Sequence, residues 1–287
     1  MSDFLLETKL REEQSDLHRR TRDSALVLQK MLESFLPRFP NFTDHTLLHS
    51  MDVLEYSNML IGEEQIAKLS AAECYAVIMA CYLHDVGMGI NQNNYLELSK
   101  KIEFGDYFTT HRRVDAETVI RDFHNEYSGL FIRKYADLFD IPGEEMTFAI
   151  VQMSRGHRKT DLFDESEYHD IMTPYGVIRT AYLSAIIRLA DEIDVGADRN
   201  SELLFDSSKV KTAEGIKAFG THESILKVEV RPDAVVLHTK PKAPEYHELI
   251  RELADKVEQT LDYCREVAAE RSEFRITQTG VKIIEVE

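Results

Sequence analysis

Six residues of this 287-residue chain pair metal-ligand chemistry with places where a helix should begin or end: His49, His84, Asp85, His111, His157 and Asp191. His49 lies in His-Ser-Met-Asp-Val on an early helix, and His84-Asp85 closes the most apolar segment just before a glycine turn. His111 opens the next expected helix, His157 follows Gly156 at another helix end, and Asp191 sits in Arg188-Leu189-Ala190-Asp191-Glu192. A histidine and an aspartate projecting together from a buried helix end are costly unless both find partners. A divalent metal is such a partner. Imidazole nitrogens and carboxylate oxygens suit manganese, iron, zinc or nickel, while carboxylate plus water suits magnesium. Four histidines and two aspartates could hold two metals, with one carboxylate bridging them. Two metals ~3.5–4 Å apart activate water and stabilise a leaving oxygen on phosphorus.

These residues need elements to position them, and the pattern is mainly helical to about residue 200. Residues 3–36 carry a partial helical stripe (Leu26, Leu28, Met31, Leu32, Phe35) that Pro37 and Pro40 end. A helix over 45–61 is expected to bury Leu47, Met51 and Leu54. Residues 71–84 are almost wholly apolar, which predicts a central helix stopped at Gly87 and Gly89. Helices are also expected over 110–123, 143–155 and 176–193, with polar loops at 91–94 and 160–175. Beyond Asn200, β-branched runs at 224–230 and 234–239 flank Arg231-Pro232-Asp233 and predict a hairpin. Pro244 opens a long helix to about 271, whose apolar face is core or an oligomer contact, and 281–286 reads as a strand. The expected organisation is an N-terminal helical extension (1–41), a helical metal-binding domain (42–200) and an α+β C-terminal subdomain (201–287).

The ordered set His49 … His84-Asp85 … His111 … His157 … Asp191, within the stretches HSMDV, LHDVGMG, THRRVDAE, RGHRKTD and RLADEID, resembles the HD-domain metal-dependent phosphohydrolases. The likeness spans roughly residues 42–200. It implies a helical bundle, two divalent metals and hydrolysis of phosphate esters, often in nucleotides. It gives all six residues ligand roles and makes Asp85 the bridge. The set looks closest to HD modules that in some bacterial proteins precede a chaperone-type ATPase domain, for which this chain has no room. Arg158-Lys159-Thr160-Asp161 stands where cyclic-dinucleotide phosphodiesterases carry Gly-Tyr-Pro, which argues against cyclic-di-GMP as the specific substrate. The Glu-Asp pair of alarmone hydrolases and the glycine- and histidine-rich extension of dNTP triphosphohydrolases are not evident.

Each assignment has a plainer rival. His45 lies one turn before His49 and is expected to orient a ligand instead of binding metal. His111 and His157 could simply cap helices, and Asp191 could pair with Arg188. His169-Asp170, a second His-Asp dipeptide, lies in an acidic loop and reads as surface. His18, His124, His222, His238 and His247 also read as surface residues. Arg112, Arg113, Arg158 and Lys159 neighbour proposed ligands and could bind substrate phosphate; their rival role is pairing with Asp115, Glu117 or Asp161. Arg199 is a weaker candidate.

Composition narrows the class. The chain has 34 Lys+Arg against 51 Asp+Glu, a net charge of −17, which argues against a general nucleic-acid binder. With 43% hydrophobic residues it can build a sizeable core. Cys74, Cys81 and Cys264 are too few and scattered for a disulfide framework. The N-terminus lacks a signal-peptide pattern and no apolar run reaches membrane-spanning length, so a soluble cytoplasmic protein is expected. The expected activity is metal-dependent hydrolysis of a small phosphorylated substrate, nucleotide-like, in a possible homo-oligomer. The alternatives are a nucleotide-binding sensor module without turnover and, last, an interaction scaffold.

Overall fold

The computed structural model describes residues 4–32, 47–197 and 213–286. Both expected domain boundaries, His45 and Arg199 lie outside the described residues. The fold is mainly helical with a small C-terminal sheet. Its helices are α1 (Leu5–Glu13), α2 (Ser15–Leu32), α3 (Leu47–Ile61), α4 (Ala71–Leu83), α5 (Gln92–Leu98), α6 (Ala116–Asp122), α7 (His124–Lys134) and α8 (Gly143–Gly156). After the hairpin β1 (Asp170–Thr173) and β2 (Gly176–Arg179) come α9 (Thr180–Ile193) and α10 (Ala213–Glu223). Strands β3 (Ile225–Val230) and β4 (Val235–Thr239), α11 (Tyr246–Arg271) and β5 (Val281–Glu285) complete the chain.

Helix α4 is the centre. Every residue from Ala71 to Leu83 is buried, and the helix packs against α1, α2, α3, α8 and α9. An all-apolar helix is stable only when surrounded on all sides, so its neighbours must wrap it. Its start is pinned by a capping box: Ser70 Oγ accepts from the Glu73 amide at 3.1 Å, and Glu73 Oε2 accepts from the Ser70 amide at 2.8 Å. The Glu73 carboxylate, buried here, is neutralised by Arg179 from β2 at 2.5 Å. One end of α4 is thereby fixed to the hairpin, and its other end presents His84-Asp85.

Several expectations change in three dimensions. The buried stripe of α2 is Leu17, Thr21, Ser24 and Leu28, whereas Leu26 is exposed. On α3 the buried face runs through His49, Ser50, Val53, Leu54 and Ser57, with Leu47 and Met51 only half-buried. The 160–175 segment is no plain surface loop: Leu162 and Tyr168 are fully buried, and Asp170–Thr173 pairs with Gly176–Arg179. The helix expected from 176 therefore starts at Thr180. A short apolar run does not by itself distinguish strand from helix, and here Pro174 and Gly176 (φ 119°) turn the chain back into a hairpin. The polar 91–94 stretch caps a short helix, with Asn91 accepting from the Asn94 amide. The β3–β4 hairpin forms as expected, and β5 joins it parallel to β4. The apolar face of α11 packs on α9 as core. Cys74, Cys81 and Cys264 are buried free thiols. Among the described residues no helix is long and apolar enough to cross a membrane.

Two close approaches set the ends of these helices against one another. A Cβ on Gly87 would lie 2.4 Å from the His124 carbonyl oxygen and 2.7 Å from the Ser128 amide nitrogen, so the turn after Asp85 lies flush on the first turn of α7. The Gly87 amide donates to Ser128 Oγ at 2.8 Å. A Cβ on Gly156 would meet Ser184 Cβ at 2.6 Å, which lets the end of α8 touch α9. Substituting Gly87→Ala forces backbone apart in a packed interior. We expect it to lower unfolding stability by roughly 1–3 kcal/mol, read as a shift of the urea midpoint, and a midpoint equal to wild type would contradict this account of the turn.

Candidate metal centre

The close packing of α3, α4, α7, α8 and α9 brings six polar side chains together in the protein interior. His49 comes from the first turn of α3, and His84 is the C-cap of α4 with Asp85 next to it. His124 is the first residue of α7, His157 is the C-cap of α8, and Asp191 lies in the last turn of α9. All are buried except Asp191, which is half-buried. They form two groups able to hold a metal ion, His49–His84–Asp191 and Asp85–His124–His157, each with ligand atoms within 4.8 Å of one another.

Asp85 joins the groups. Its Oδ2 lies 3.5 Å from His49 Nε2 and 3.4 Å from His84 Nε2. Its Oδ1 lies 3.3 Å from His124 Nε2 and 3.7 Å from His157 Nε2. Asp191 Oδ1 completes the first group, 3.2 Å from His49 Nε2 and 3.8 Å from His84 Nε2.

The backbone decides which nitrogen of each ring is free for a metal. His84 Nδ1 donates to the Cys81 carbonyl at 2.8 Å, His124 Nδ1 to the Arg121 carbonyl at 2.5 Å, and His157 Nδ1 to the Ser154 carbonyl. Each acceptor is three residues back, where a carbonyl at the end of a helix lacks its own helical partner. His49 Nδ1 instead donates to Asp194 Oδ2, the C-cap residue of α9, at 2.6 Å. A neutral imidazole that donates from Nδ1 carries its lone pair on Nε2. The four lone pairs therefore converge on Asp85.

Electrostatics separates the two halves. Burial pushes His124 down to about 3 and His157 down to about 4, so both rings are neutral near pH 7. Their Nε2 atoms stand 2.9 Å apart with no proton to share, an arrangement a cation between them relieves. In the other half, burial works against a charge on His84, but Asp85 and Asp191 outweigh it and raise its pKa. Burial likewise opposes ionisation of Asp191, yet the imidazoles of His49, His84 and His157 hold its carboxyl well below the usual carboxylate range. This half favours positive charge. The donor set of nitrogens and carboxylate oxygens fits a divalent transition metal in each half.

A cleft of about 390 Å³ opens onto the centre, and Asp85, His124, His157 and Asp191 face it. His49 and His84 lie behind them. Its lining also carries Arg121, Arg158, His222 and Lys256, together with Glu192. Burial and the neighbouring Arg158 both lower the pKa of Arg121, so like charges are held close together here. Lys256 of α11 pairs with Glu192 of α9 at 2.7 Å across the cleft.

His111, expected as a ligand, belongs to neither group. It is exposed at the end of a single turn (Tyr107–Thr110), stacked on Tyr107 with ring centroids 4.4 Å apart. The next helix starts only after Asp115, whose side chain accepts from the Thr118 amide at 2.8 Å, so His111 is not at its start. His124, expected on the surface, is 4% exposed and takes that place. The signal for it was available: His-Asn-Glu-Tyr-Ser-Gly-Leu-Phe-Ile opens a helix whose Tyr127, Ser128, Phe131 and Ile132 are all buried. Arg112 and Arg113 are exposed and do not face the cleft, whereas Arg158 does. Lys159 lies just outside, its Nζ donating to the Asp122 carbonyl at 2.9 Å. Arg188 does not pair with Asp191; it donates to the carbonyls of Gly156 at 2.8 Å and Thr160 at 2.7 Å. His169-Asp170 is exposed, as expected. Arg121, Asp194, His222 and Lys256 are the further contributors that sequence spacing did not single out.

The sequence matches the HD-CE family over residues 39–267. This chain belongs to the HD-CE family. Its HD-type domain, with buried histidines and aspartates able to bind metal, points to the metal-dependent phosphohydrolases. No curated protein matches the chain significantly.

Two expectations concern metal binding itself. Replacing Asp194→Asn keeps the size but removes the charge that orients His49, and metal affinity should fall by about 10–100-fold, measured by competition with a chelating dye. His124→Ala should lower the bound metal found by elemental analysis, while His111→Ala leaves it at the wild-type value; the reverse pattern would restore His111 as the ligand.

Proposed function

We propose that this HD-CE protein hydrolyses a small phosphate ester, nucleotide-like, at a centre of two divalent metals held by His49, His84, Asp85, His124, His157 and Asp191. The observation that carries this reading is the split of the Asp85 carboxylate, with one oxygen toward each pair of imidazoles. When bound, such metals supply Lewis acidity toward the phosphoryl oxygens and make water a nucleophile near neutral pH.

The chain's own residues have separate tasks. Each half offers three side-chain donors, and Asp85, His124 and His157 all line the cleft whereas His49 and His84 do not, so the half of Asp85, His124 and His157 is the one a substrate reaches. The backbone and Asp194 fix the tautomer of each imidazole in advance, so no ring has to reorient when a ligand arrives. Arg158 places a permanent positive charge at the cleft wall beside His124, where it can neutralise a phosphoryl oxygen. Helix α11 and its Lys256 close the far side and limit the space to a small molecule.

The metals are proposed to be divalent transition ions (iron, zinc, nickel or manganese) ahead of magnesium, because imidazoles outnumber carboxylates in the set. Elemental analysis of the purified protein, followed by a phosphatase and phosphodiesterase panel with the metal it retains, tests the reading. We expect metal above background, hydrolysis of at least one phosphate ester, and loss of both in Asp85→Ala with helical circular dichroism preserved. A protein that binds a nucleotide tightly in manganese and returns it unchanged would instead be a sensor.

A further inference from the structure

The β1–β2 hairpin has one edge in use and one open. The β2 edge is closed by the start of α4: the Val177 carbonyl accepts from Ser70 Oγ at 2.6 Å, and the Arg179 amide donates to Glu73 Oε1 at 3.2 Å. Val177 and Arg179 therefore turn their backbone groups away from β1. In an antiparallel pair, directly opposed residues either bond to each other or both point outward. Their partners Met172 and Asp170 thus present amide and carbonyl groups on the far side of β1. Among the described residues no third strand pairs there. Natural sheets blunt such an edge with lysine, proline or a covering element. Here the middle of the edge carries Met172, whose side chain is 72% exposed.

A groove of about 870 Å³ runs between this edge and the start of α8. Its lining includes the buried Ile141 and Ile171 and the half-buried Phe148. Four carboxylates also line it, those of Asp137, Glu144, Glu145 and Asp170, against the single guanidinium of Arg133. Glu144 and Glu145 lie in the first turn of α8, where the helix itself favours acids. Asp137 and Asp170 come from other elements, so the negative sign is common to three separate parts of the wall. Among the described residues none of the four forms an ion pair. A second copy of this edge would bring the same carboxylates and be repelled. We propose that the open edge of β1 is a docking site for a basic, extended segment of a partner protein. That segment adds to the hairpin as a third strand, and its cations meet the carboxylates of the groove. Main-chain hydrogen bonds to Asp170 and Met172 supply affinity, and the groove selects the side chains.

Fluorescence anisotropy with a short labelled peptide of alternating lysine and valine tests this. The lysine peptide should bind at least about tenfold more tightly than its glutamate–valine counterpart, because charge decides between peptides of one backbone geometry. Methylating its backbone nitrogens keeps the charge and removes the ladder donors, so affinity should fall about tenfold or more. The double variant Glu145→Lys/Asp170→Lys changes two exposed residues and should bring the preference for lysine below about twofold, with metal content unchanged. Equal binding of the methylated and unmethylated lysine peptides would mean attraction to an acidic surface alone and would overturn strand addition. A lysine peptide that does not bind, or a double variant that keeps the wild-type preference, would overturn the docking site itself.

Discussion

The carboxylate of Asp85 lies within 3.7 Å of four imidazole nitrogens from four helices, and the surrounding fold is arranged to make that contact possible. An aspartate 3% exposed and ringed by imidazoles is a poor arrangement without a cation, because burial penalises the carboxylate and the lone pairs of the neutral His124 and His157 repel one another. The cluster is tolerable in the interior because each ring has spent its one proton on a fixed acceptor. Its remaining lone pair is then available for metal. The same hydrogen bonds that complete the helix ends at Cys81, Arg121 and Ser154 thus prepare the donors.

Positioning follows from packing. Helix α4 is apolar on every side and must be surrounded, which places α3, α8 and α9 around it. Gly87 lets the turn beyond Asp85 touch α7, and Gly156 lets the end of α8 touch α9. Each contact brings one histidine toward the same point. Core stability and site geometry are therefore coupled here, since a methyl group at either glycine would push apart helices whose ends carry ligands.

Charge is distributed unevenly for a reason of the same kind. The net charge of −17 would repel a phosphorylated molecule at long range, yet the cleft walls gather Arg121, Arg158, His222 and Lys256. Long-range fields are damped over about 8–10 Å at ordinary ionic strength, so what an anion meets in the cleft is set by these side chains and by any metal behind them. The acidic composition weighs against a general binder of phosphate backbones, while the cleft gathers cations locally.

The helical class, the central apolar helix and the C-terminal hairpin were legible in the sequence, because burial periodicity and β-branched runs are local signals. His84-Asp85 was legible for the same reason: a polar pair at the end of an apolar helix needs a partner wherever the helix lies. His49, His157 and Asp191 followed from helix ends and from a resemblance in order and spacing. What the sequence did not decide was which further histidine would join them. His111 and His124 both lie near helix boundaries, and only the Asp115 cap and the contact of Gly87 with the first turn of α7 place one outside and the other inside. Asp194, Arg121 and Lys256 were likewise undetermined, since their roles depend on distances between elements far apart in the chain. Sequence fixes what a segment can bury on its own, whereas convergence of several segments on one point depends on how their backbones pack.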